Sequence, residues 1–87
     1  MFDQNHQQPP GTPLGKAKAL EVVILQDGTR MPKKSKVRYW CEKKGAKEDF
    51  FIIHQNKIYH LTSLEFKRRF KVIIKGGVVQ LPRTDPS

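Results

Sequence analysis

The sequence predicts a small α+β domain, a mostly antiparallel β-sheet of five or six strands with one short α-helix packed on it. Three observations predict it. Short runs of β-branched and aromatic residues recur between Gly, Asn and Pro turn signals. One stretch, Thr62-Ser63-Leu64-Glu65, has the spacing of a capping box that starts a helix. And 87 residues with 37% hydrophobic content can fill one small core and little else.

The first strand is expected over Ala19 to Gln26, where Glu21-Val22-Val23-Ile24-Leu25 is β-branched and runs into the turn signal Asp27-Gly28. Residues 1 to 16 hold three of the six prolines with no apolar period and read as a flexible tail; 82 to 87 have the same character, leaving 17 to 81 as the domain. Residues 29 to 36 contain Pro32, which cannot donate to a ladder, and read as a basic loop. Strand two follows over Val37 to Glu42. Its alternation puts Val37, Tyr39 and Cys41 on a core face and Arg38, Trp40 and Glu42 on the other.

After a second basic loop, Lys43 to Glu48, two strands flank Gln55-Asn56. A two-residue turn there, with positive φ, pairs His54 with Lys57, Ile52 with Tyr59 and Phe50 with Leu61 on one face, and Ile53 with Ile58 and Phe51 with His60 on the other. Both faces are largely apolar, so the pair is either sandwiched between layers or keeps one face for a partner. The capping box then starts a helix over about Ser63 to Phe70. Phe66 and Phe70, four residues apart, give it one apolar stripe, while Lys67, Arg68, Arg69 and Lys71 face water. Val72 to Lys75 and Val78 to Leu81, separated by Gly76-Gly77, read as a closing hairpin.

The formal charge is +9. Residues 30 to 47 carry eight cations against Glu42, a net of +7, and residues 65 to 75 carry five against Glu65, a net of +4, so the rest of the chain nets −2. Confinement of charge to segments is the mark of an electrostatic footprint rather than of general solubility. The candidate nucleic-acid contacts are Arg30, Lys33, Lys34, Lys36, Arg38, Lys43, Lys44 and Lys47, with Lys67, Arg68 and Lys71 as a second strip. Trp40 lies among them. It is either an exposed platform for an unpaired base or a ring packed beneath the helix or the tail.

Other chemistries find no support. Cys41, His54 and His60 do not have zinc-ligand spacing, and no cofactor or metal is expected. His60 has no Ser or Cys partner at a suggestive spacing, adjacent Glu48 and Asp49 point to opposite sides of a strand, and Gly76-Gly77 precedes no helix. An enzyme is not expected. The single cysteine and the absence of a signal-peptide pattern or a long apolar run point to a reducing, cytoplasmic setting away from membranes.

The segment from Asp49 to Phe70, where Lys57-Ile58-Tyr59-His60-Leu61 leads into Thr62-Ser63-x-Glu65-Phe66, resembles the C-terminal part of the small PGDYG-type domains of bacterial and phage proteins. The resemblance covers about a quarter of the chain. It implies a small β-rich fold with one docked helix and a phage or mobile-element source, and it carries no functional residues.

The sequence therefore points to a non-enzymatic module that binds DNA or RNA through phosphate backbone or single strands, without base specificity. The alternative is an adaptor or inhibitor that docks an acidic host protein through the same basic surface, or through Phe51, Ile53 and Ile58 if that sheet face is open.

Overall fold

The structure, a computed structural model, describes residues 11–80. The expected flexible ends, residues 1–10 and 82–87, lie outside the described residues, as does Leu81. A six-stranded, mostly antiparallel sheet carries one short helix. Its strands are β1 (Gly15–Ala19), β4 (Lys36–Lys44), β5 (Lys47–His54), β6 (Lys57–Thr62), β7 (Phe70–Ile74) and β8 (Val78–Gln80). The helix α1 spans Ser63–Arg69, and a separate two-stranded ribbon joins β2 (Val23–Ile24) to β3 (Arg30–Met31). The order across the sheet is β6-β5-β4-β1-β7, with β8 on β4.

The nine-residue β4 is the spine. It pairs with β5 along one side from Arg38 to Lys44; on the other side it pairs with β1 over Lys36 to Tyr39 and with β8 over Cys41 to Lys43. Its core face is as expected, with Val37, Tyr39 and Cys41 all buried. The β5–β6 register also holds residue by residue, His54 with Lys57 through Phe50 with Leu61. Gln55 and Asn56 form the turn with φ of 52° and 62°, the left-handed pair that matches the twist of a tight hairpin.

The helix begins where its cap chemistry puts it. The Thr62 hydroxyl accepts the Glu65 amide at 3.2 Å and donates to the Glu65 carboxylate at 3.1 Å. Phe66 and Phe70 are both buried, and Phe66 stacks on Phe50 with ring centroids 4.4 Å apart and tilts against Tyr39 at 4.8 Å. The core thus lies between one sheet face, α1 and the ribbon, whose Val23, Leu25 and Met31 are buried.

Two expectations need correction. The first strand is β1 at Gly15–Ala19, partly inside the segment read as tail, and not Ala19 to Gln26. Alanines at 17 and 19 fit the narrow space between β4 and β7, where both are buried. The β-branched run after it uses only Val23 and Leu25 for the core and contributes the short strand of the ribbon, with Val23 paired to Met31 across the Asp27-Gly28 turn. The loop read at 29 to 36 therefore contains β3.

The closing hairpin is absent as well. Here β7 pairs with β1, whereas β8 runs parallel to β4, so both travel in one direction and the chain between them steps across the start of β1. Gly76 and Gly77 do not have positive φ. They are small because backbones cross there. A Cβ on Gly76 would come within 2.8 Å of the Tyr39 carbonyl and 2.9 Å of the Gly15 amide nitrogen. The step is held by the Gly76 amide donating to the Tyr39 hydroxyl at 2.9 Å and the Gly77 amide donating to the Pro13 carbonyl at 2.8 Å.

Candidate nucleic-acid interface

Strand alternation builds the site. In β1 the residues Gly15, Ala17 and Ala19 are buried, so Lys16 and Lys18 project from the opposite face of the sheet. The ladder sets Lys16 across from Arg38 and Lys18 across from Lys36, and on the other flank Lys18 is across from Lys71 of β7. Five cations from three adjacent strands therefore share one face. Among the described residues none of the five is paired with a carboxylate; the Lys–carboxylate ion pair there joins Lys57 to Asp27.

Lys33 and Lys34 border this face. They lie in the Pro32–Ser35 turn, which closes on the end of β1 through the Lys34 amide to the Ala19 carbonyl at 2.9 Å and the Ala19 amide to the Ser35 carbonyl at 2.8 Å. Both are exposed.

The remaining candidates are elsewhere. Lys43, Lys44 and Lys47 sit at the far end of β4, where Lys44 pairs with Lys47. Five to six strand residues separate them from Arg38, about 17–20 Å. Arg30 is on the ribbon. The helix covers the core face, so its exposed Lys67 and Arg68 belong to the other side of the molecule. The charged segment 30 to 47 is thus divided between the ends of one strand, and only Lys71 of the second strip joins the first.

An open groove of about 460 Å³ runs along the cation face. Lys16, Lys36, Val37 and Arg38 of β1 and β4 line it together with Ile53, His54, Gln55 and Asn56 of the β5–β6 hairpin. Three cations are thus among its lining residues.

Trp40 does not present a free ring. It is fully buried, donates its indole N–H to the Glu42 carboxylate at 2.9 Å, and stacks on Phe51 with centroids 5.3 Å apart. Phe51 in turn tilts against His60, whose Nε2 lies 2.8 Å from the Asp49 carboxylate. All seven aromatic side chains among the described residues are buried, from 0% exposed at Trp40 and Tyr59 to 8% at Phe50. Among the described residues, base stacking on this face has no platform. Cys41 is buried, and burial, followed by the nearby Glu48 and Asp49 carboxylates, pushes its thiol up, away from the thiolate that reactivity requires.

Sequence reasoning missed Lys16 and Lys18. Their signal was present in Gly15-Lys16-Ala17-Lys18-Ala19, a period-two alternation of small and charged residues that marks one buried and one exposed strand face. It straddled the boundary drawn between tail and domain. Comparison with family models, with curated proteins and with solved structures finds no match for this chain.

Proposed function

We propose that this chain is a non-enzymatic module that binds the phosphate backbone of a nucleic acid through the face shared by Lys16, Lys18, Lys36, Arg38 and Lys71, with Lys33 and Lys34 at its border. The observation that carries this reading is the register of like charges. Lys16 against Arg38 and Lys18 against both Lys36 and Lys71 are repulsive neighbours that cost stability in the free protein. A polyanion relieves that repulsion and gains from it. Each contact releases condensed counterion, so five contacts on B-DNA give a salt slope of about −4.5.

Burial of every described aromatic ring favours backbone contact over base stacking, so the single-strand version has little to support it. An acidic protein would meet the same cations. The apolar face considered for it is not bare, since Phe51 is buried and Ile53 and Ile58 are half-buried.

The test is a titration of the full chain against labelled duplex and single-stranded oligonucleotides at about 50 and 200 mM salt. Duplex binding that weakens steeply with salt is expected, with the Lys36→Glu/Arg38→Glu variant losing it. Absence of binding to either nucleic acid at the lower salt overturns the proposal.

A further inference from the structure

Resting on the nucleic-acid reading above, we infer that the tip of the β5–β6 hairpin, Gln55 and Asn56, reads base edges in the major groove of duplex DNA while the adjoining cations hold the phosphates. Three observations meet at this point. First, the tip and the cations line one groove, which Gln55 and Asn56 share with Lys16, Lys36 and Arg38. Gln55 lies two residues beyond the Arg38–Ile53 pair, about 7 Å along the strand, so a base contact and a phosphate contact fall within one nucleotide step of each other.

Second, the turn accounts for Asn56 but not for Gln55. Both residues occupy left-handed backbone, with φ of 52° and 62°. Glycine and asparagine adopt that region readily, but glutamine does not, and a strained residue kept at an exposed tip calls for a reason outside the turn. Among the described residues neither amide has a hydrogen-bond partner. Both are left to face outward.

Third, the chemistry matches one ligand. A carboxamide presents an acceptor and a donor side by side, which complements the N6 amino group and N7 of adenine in the major groove. That groove admits a two-stranded β ribbon. The A-form major groove of duplex RNA is too deep and narrow for one, so the inference commits to DNA.

The experiment selects duplexes from a randomised DNA pool with the full chain, then compares the enriched duplex with a shuffled one of equal length and with the corresponding RNA duplex. Gln55→Gly/Asn56→Gly is the informative variant, because paired glycines keep a turn with both φ positive while removing the amides. Enrichment of an adenine-containing site bound about tenfold more tightly than the shuffled duplex is expected, with the glycine variant bringing the two level. Binding without sequence preference, a preference that survives in the glycine variant, or equal preference for the RNA duplex each overturns the inference. Binding to single strands but to no duplex at low salt overturns this inference alone, whereas binding to neither brings down the nucleic-acid reading itself, an outcome distinct from binding without preference.

Discussion

Lys16 and Arg38 stand directly across from each other in the β1–β4 ladder, two like charges in register on the exposed face of the sheet. Cross-strand partners are close enough for such a pair to repel appreciably. A face built this way gives up stability in the free state, and the sign of that trade can be measured.

Lys16→Glu converts the repulsive pair into an attractive one. The variant is expected to be more stable than wild type by roughly 0.5 kcal/mol in urea denaturation. Its affinity for duplex DNA should fall and the steepness of the salt slope should drop by about 1. A variant that is stabilised and binds as tightly as wild type would show that Lys16 makes no phosphate contact.

Trp40 reports on the stacking question. Buried and hydrogen-bonded to Glu42, it should emit at short wavelength and resist quenching by acrylamide. Saturation with single-stranded DNA should leave its intensity unchanged, since no described aromatic ring is open to a base. Trp40→Ala is expected to cost about 3–5 kcal/mol through the cavity it leaves.

The glycines separate crowding from conformation. On Gly15 a Cβ would meet the Gly76 nitrogen at 2.3 Å and the Ile74 carbonyl at 2.4 Å, both backbone atoms that cannot swing aside. Gly15→Ala should therefore destabilise the fold by about 3 kcal/mol. At Gly28 nothing lies within 4 Å of an added Cβ, and only its φ of +87° resists a side chain. Gly28→Ala should cost about 1 kcal/mol. Thermal melts of the two variants side by side test the order.

Acid should loosen the ribbon. The Asp27 carboxylate accepts the Thr29 amide at 3.0 Å and the Tyr59 hydroxyl at 2.8 Å, and lies 3.4 Å from the Lys57 ammonium. Hydrogen bonding from Thr29 foremost, then Tyr59 and Lys57, holds its carboxyl well below the usual carboxylate range. A folded-state pKa depressed in this way contributes stability that is complete above the unfolded value of about 4 and drains away as pH falls below it. Asp27→Asn should melt lower than wild type at neutral pH, with the gap narrowing below about pH 3. A gap of constant size across that range would contradict the assignment.

Local chemistry made much of this protein legible in its sequence. The Gln55-Asn56 turn set the β5–β6 register, the alternation in β4 set its core face, and Thr62 with Glu65 set the start of a helix whose Phe66 and Phe70 dock it. Each of these is decided by residues within a few positions of one another. The partners of β1, the step of the chain at Gly76-Gly77 and the burial of Trp40 were not legible, because they depend on segments dozens of residues apart. For the candidate site this difference was decisive. The sequence placed a basic cluster along 30 to 47, and the length of an extended strand then separated its two halves. Only the ladder, by laying β1 between β4 and β7, joined Lys16 and Lys18 to Lys36, Arg38 and Lys71 on one face.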